Sequence, residues 1–326
     1  MIPLSVLDLV PVREGGTVGE ALAVAARSAR VAEAAGYTRY WVAEHHGMDG
    51  IAGGAVSVVL AHLGHATRTI RIGAGGIMLP NHNPYVIAEQ FGTLDALFPG
   101  RVDLGLGRAP GADGRLANAL RKDIRAASEH FPQDVVELQA RFAGQAVAGV
   151  PAPQAAGAAV EMWILGSSLY GAQLAAMLGL PYAFASHFAP AMLDQAAQVY
   201  RERFKLSAAL DKPRFMAAIN VIAAPSDEEA VYLASSGEQS LVALRTGNPG
   251  RLKPPIGDYR MGLSAMENAT IDQMRAVRAI GSPDTVRRGI EAFLERTQAD
   301  ELMIATSLYD ADAHCRSLEL TMEALA

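Results

Sequence analysis

Residues 71–111 read RIGAGGIMLPNHNPYVIAEQFGTLDALFPGRVDLGLGRAPG, and this stretch decides the fold. Residues 70–74 are short, apolar and β-rich, as a parallel strand buried on both faces should be. They run into Gly75-Gly76, where a chain without Cβ atoms can bend. Asn83 followed by Pro84 predicts a helix start, a side-chain cap and then the favoured first-turn proline. Ile87, Phe91 and Leu94 give that helix an apolar stripe, and Pro99-Gly100 stops it. Val102, Leu104 and Leu106 alternate through a further strand that ends in the loop 105–111, GLGRAPG. Two consecutive strands thus end in glycine-rich polar turns. In a parallel α/β fold such turns share the face on which ligands bind.

The same alternation extends through the chain. Strands are predicted at 2–9, 40–43, 162–165, 182–185, 215–223 and 302–305. Between them lie helical stretches such as the one after Thr17 and Glu20, which have capping-box spacing. Residues 116–142 are helical in pattern and broken at Phe131-Pro132. Residues 148–159 form a Pro, Ala and Gly connector, and 237–262 a Pro/Gly-rich insertion that could act as a lid. Eight strands alternating with helices, without an internal break, predict one domain over residues 1–326. Its class is α/β, a single (β/α)8 TIM barrel with insertions after strands four and seven. A doubly wound sheet of similar periodicity is the rival.

Composition narrows the function classes. The chain has 326 residues, half of them hydrophobic, and a formal charge of −6 from 28 basic and 34 acidic residues. With no basic block, nucleic acid is not expected as a partner. Cys315 is the single cysteine, so neither an intrachain disulfide nor a thiolate metal cluster can form. No apolar run approaches the roughly 20 residues of a membrane helix, and the opening residues lack a signal-peptide pattern. A soluble, cytoplasmic protein is expected.

Two loops suggest an anion site. Arg108 sits in a glycine-rich turn after the fourth strand, and Gly166-Ser167-Ser168 lies between a strand and a helix N-terminus, a place suited to phosphate. Each has an ordinary alternative, a surface arginine and a serine cap; together they favour phosphate. Loop 105–111 lacks G-x-G-x-x-G spacing, so a Rossmann turn is not expected. Adjacent residues of an extended segment point opposite ways, so at most one of His45 and His46 should face a site above the second strand. His82 and His187 follow other strands and are substrate-pocket candidates. With no H-x-H on strand one and no H-E-x-x-H, no metal is assigned.

The opening stretch, together with 41–46 (WVAEHH), 164–168 (ILGSS) and 281–286 (GSPDTV), resembles the bacterial luciferase-like, flavin-dependent monooxygenase family, in the family's order. The resemblance implies FMN as cofactor, its phosphate held by Arg108, Ser167 and Ser168, with an added N–H from Gly171. It implies a non-prolyl cis peptide at Gly75-Gly76 against the flavin ring, and His45 as the proton-handling residue. It further implies a two-component monooxygenase: reduced FMN from a separate flavin reductase, O2, a small organic substrate, and a homodimer built through the helix at 55–65. Gly107 stands where true luciferases carry a cysteine, so light emission is not carried over. Three alternatives remain: a deazaflavin-dependent oxidoreductase of the same fold, a metal-dependent barrel hydrolase using Glu44, His45 and His82, and a non-catalytic flavin-binding protein.

Overall fold

The computed structural model describes residues 2–109 and 114–326. Its nine parallel strands are β1 (Leu4–Asp8), β2 (Arg39–Val42), β3 (Arg71–Met78), β4 (Val102–Gly107), β5 (Glu161–Gly166), β6 (Tyr182–Phe184), β7 (Phe215–Ala223), β8 (Arg278–Gly281) and β9 (Glu301–Ala305). Eight of them close a ring, in the order β1-β2-β3-β4-β5-β6-β7-β9 and back to β1. This is the expected (β/α)8 barrel. β8 stands outside the ring, pairing through Arg278–Gly281 with the far end of β7 at Asn220–Ala223. The sequence reading does not include it: RAIG is four residues long, too short to show a strand period against the helix that follows.

Helices α1 (Val18–Ala35), α2 (Val56–Ala66) and α3 (Pro84–Leu97) follow the first three strands. Thr17 and Glu20 cap α1 reciprocally, and Asn83 caps α3 by accepting from the Tyr85 N–H. The insertion after β4 holds α4 (Gly114–Leu120), α5 (Ile124–Glu129) and α6 (Phe131–Phe142). α7 (Leu169–Leu178) and α8 (Leu193–Arg203) follow β5 and β6. The second insertion, after β7, carries α9 (Asp227–Arg245), α10 (Ala265–Asp272), β8 and α11 (Pro283–Thr297), and α12 (Ala311–Leu325) ends the chain. The stretch read as a lid, 237–262, begins inside α9. The segment beyond it is tied across the barrel mouth: Arg251 pairs with Asp49, and Leu252 exchanges backbone bonds with Val12 and Glu14. No helix among the described residues is long and apolar enough to cross a membrane.

One sequence expectation needs correction. Gly75-Gly76 is not a turn that ends the strand; β3 continues through it to Met78, with a register shift against β4 between Ala74 and Ile77. The glycines serve the barrel interior. A Cβ on Gly73 would fall 2.5 Å from the Trp41 indole nitrogen, and one on Gly76 would fall 2.7 Å from the Gly105 carbonyl oxygen. Only a glycine lets the large indole and the neighbouring strand come that close.

The barrel interior is layered. At the strand N-termini lies a charged floor. Arg39, 1% exposed, donates to Asp103 at 2.8 Å, to Glu161 at 2.8 Å and to Glu301 at 2.7 Å. Arg71 and Arg214 add further pairs to Asp103, Glu161 and Glu301. Above the floor come Leu7, Trp41, Ala43, Trp163, Ala183, Met216, Ala218 and Met303, all buried. The two indoles meet edge to face at 5.5 Å between centroids.

The floor makes stability acid-sensitive. Burial pushes the Glu161 carboxyl up, but Arg39, Arg214 and Arg71 together outweigh it and bring its pKa from 4.5 down to about 2. A carboxylate depressed in the folded state contributes stability above its unfolded pKa and loses it as pH falls through the folded one. Melting temperatures measured across this window should fall for the wild type between pH 4.5 and about 2. In Glu161→Gln they should start lower and decline less over the same range.

Candidate active site

The residues assigned to a site from sequence lie at or beyond the C-terminal ends of the barrel strands, with His82 past the short turn after β3 and Gly171 in the first turn of α7. Ala43 to His46 leave β2, Gly75 and Gly76 lie in the outer half of β3, and Arg108 follows β4. Ser167 and Ser168 follow β5, and His187 follows β6.

The Gly75-Gly76 peptide is cis. A Cβ on Gly75 would lie 2.7 Å from Leu7 Cδ1 and 3.1 Å from Trp41 Cβ, so this backbone rests directly on the apolar layer. The surface it offers is flat and free of side chains.

Ser168 is the N-cap of α7 by backbone conformation, yet its hydroxyl makes no capping bond. The first-turn N–H groups of α7 therefore have no side-chain acceptor from the cap, and a helix N-terminus in that state favours an anion. Arg108 is exposed, its guanidinium 3.9 Å from the centroid of Tyr170, the second residue of α7. Gly171 is buried against Tyr182, whose ring a Cβ would meet at 3.1 Å. The structure thus brings Arg108 and the Ser167-Ser168 turn to the same helix end. Pro110 and Gly111 of that loop lie outside the described residues.

Glu44, His45 and His46 divide as an extended segment requires, alternate residues to alternate sides. The His45 Nδ1 is buried and has no hydrogen-bond partner among the described residues, and the same holds for His187 Nδ1. Burial, with a smaller contribution from the neighbouring His45, pushes the His187 pKa down to about 4. Burial likewise lowers that of His45. Both rings are therefore neutral imidazoles at pH 7, and each has a nitrogen free to accept or donate.

Glu44 and His46 form a different group. Glu44, 2% exposed, accepts from His46 Nε2 at 2.5 Å and from His82 Nε2 at 2.6 Å, both on Oε1. Its Oε2 accepts from the Met78 N–H at 2.8 Å. Burial raises the Glu44 pKa, but the hydrogen bonds and charge of His82, Met78 and His46 outweigh it and hold it below the usual carboxylate range. Lys122 Nζ donates to the His82 carbonyl at 2.7 Å. The hydrolase alternative grouped Glu44, His45 and His82. The geometry instead joins Glu44, His46 and His82, because the i, i+2 relation puts His46 on the Glu44 side and His45 on the other. Sequence reasoning missed the central position of Glu44 and the part played by Lys122. The Glu44/His46 spacing was the available signal; nothing in the sequence pointed to Lys122.

A family model described as luciferase-like monooxygenase matches residues 2–301. A luciferase-like monooxygenase of Escherichia coli (strain K12) is 48% identical over 326 residues, 99% of this chain and 96% of its own length. An N-acetyl-S-alkylcysteine monooxygenase of Bacillus subtilis (strain 168) is 36% identical over 284 residues, 83% of this chain and 81% of its own. The solved structure of apo-MsnO8 superposes with a TM-score of 0.89 at 31% identity, covering 100% of this chain and 98% of that one. The chain belongs to the luciferase-like monooxygenase family and is an enzyme of its flavin-dependent monooxygenase class.

Proposed function

We propose that this enzyme is the oxygenase of a two-component system, taking reduced FMN from a separate reductase and using O2 to oxygenate a small organic substrate. The observation that carries the reading is the pairing of a bare Gly75-Gly76 surface, packed on Leu7 and Trp41, with a cationic helix N-terminus at Arg108 and Ser168. The donor set fits FMN: a flat seat for a ring at one end, and at the other a guanidinium, two hydroxyls and free N–H groups for a phosphate. Reduced FMN, when bound, supplies the electrons that activate O2.

The chain's own residues hold the cofactor and manage water and protons. Arg108, Ser167, Ser168 and the Gly171 N–H bind the phosphate end. Leu7, Trp41, Met216 and Met303 below the glycine seat keep it dry, which strengthens the polar contacts made there. His45 accepts or returns a proton at Nδ1, and His187 Nδ1 offers a second contact to the substrate. His82 is a substrate-side residue through its place at the mouth. A homodimer through α2, which exposes Val58, belongs to the same reading. Substrate screening begins with N-acetylated S-alkylcysteines, the class for which the Bacillus relative is named.

Arg108→Ala tests the cofactor assignment. A charge-assisted hydrogen bond contributes about 1.5–3 kcal/mol, so the Kd for FMN should rise about 10- to 100-fold, measured by fluorescence titration. Riboflavin, which has no phosphate, should bind wild type and variant alike. Equal loss for both ligands would reject Arg108 as the phosphate residue.

A further inference from the structure

We propose that Glu44, His46 and His82 form a site for one divalent transition-metal ion of the zinc class at the barrel mouth. Their donor atoms, one carboxylate oxygen and two imidazole nitrogens, all lie within 4.8 Å of one another. The set of two histidines and one glutamate is a standard zinc donor set, and it leaves further coordination positions for water. This inference stands on residues that the flavin reading does not use for the cofactor.

Three features make the group a built site. The Glu44 side chain is 1% exposed, and the Met78 N–H fixes its Oε2, so Oε1 is aimed at the two histidines. A hydrogen bond to a ligating carboxylate is the second contact that metal sites use to orient it. His46 and His82 are 19% and 29% exposed, which gives an ion a route in and room for water. Both present the same nitrogen, Nε2, to the same oxygen. An ion at Nε2 would require each neutral ring to carry its single proton on Nδ1, so the proton now donated to Glu44 shifts to the other ring nitrogen through solvent.

The present separations of 2.5 and 2.6 Å are those of hydrogen bonds. Zinc bonds of about 2.0–2.1 Å in tetrahedral geometry place neighbouring ligand atoms about 3.3 Å apart. Each imidazole must therefore retreat by less than about 1 Å, which a small side-chain rotation at the half-exposed end provides. Bound metal would cross-link the loop after β2 to the turn after β3.

The test uses flavin-free full-length protein, stripped with chelator and titrated with Zn2+ against a chromophoric competitor. One zinc per chain is expected. His46→Ala and His82→Ala should each weaken it by more than about 100-fold, beyond what loss of an outer contact costs. His62→Ala, an exposed position on α2, should bind as wild type does. Glu44→Gln keeps the volume and an acceptor for Met78, and it should lose the ion while retaining the far-UV circular dichroism of the fold. Co2+ should give visible d–d absorption that the same variants lose. No stoichiometric zinc in the wild type, or equal affinity in wild type, His46→Ala and Glu44→Gln, overturns the proposal and leaves a hydrogen-bonded bridge. Because no flavin is present, neither result bears on the cofactor reading.

Discussion

His45→Ala is expected to lower kcat of the oxygenation by about 10²–10⁴-fold, the usual worth of a positioned proton-transfer group. Reduced-FMN affinity should stay near wild type. The Nδ1 of His45 is buried and has no hydrogen-bond partner among the described residues. A buried polar atom without a partner costs free energy unless something bound there satisfies it. The opposing imidazole, His187, is a poor proton donor near neutrality, since burial holds its pKa at about 4. His45→Gln separates proton transfer from packing: glutamine can hydrogen-bond but cannot carry the proton. Its kcat should fall nearly as far as that of the alanine variant. A His45→Gln enzyme with wild-type turnover would reduce His45 to a positioning residue.

Arg39→Met should destabilise the fold by about 3–5 kcal/mol, the cost of removing one partner from a buried ion-pair group. Its guanidinium is shared among Asp103, Glu161 and Glu301 and lies 5.0 Å from the Trp163 ring centroid. Burial alone would lower the Arg39 pKa, but those three carboxylates outweigh it and raise the pKa above its ordinary value. Without Arg39, Asp103, which is fully buried, keeps Arg71 as its cation and Trp41 as a donor among the described residues. Urea unfolding should show a lower midpoint with an unchanged slope, a stability loss without a change in the surface exposed. A midpoint equal to wild type would mean the floor is wet enough to tolerate unpaired carboxylates.

Much of this architecture was legible in the sequence, because barrel strands are local apolar runs and helix caps are local pairs such as Thr17 with Glu20. Arg108 and Ser168 were legible for the same reason: each follows a strand whose end the pattern marks. The charged floor was not. Arg39, Asp103, Glu161, Arg214 and Glu301 each stand at or near a strand start, where a charge ordinarily meets water, and only ring closure gathers them. The glycines of β3 misled in the other direction. Gly75 and Gly76 carry the composition of a turn, but they are strand residues that make space for Trp41 and Gly105. Glu44 and His82 were named together from the sequence, but the place of His46 beside them was not, because His82 comes from a different loop and only the fold shows which of His45 and His46 meets it.

The most direct measurement is a titration of the purified enzyme with reduced FMN and, in parallel, with a reduced deazaflavin, followed by admission of oxygen and recording of its uptake. Tight binding of reduced FMN, weaker binding of the deazaflavin, and oxygen uptake that rises with added substrate are the predicted results. Failure to bind FMN in either redox state, or binding with no substrate-dependent oxygen uptake, would contradict the account.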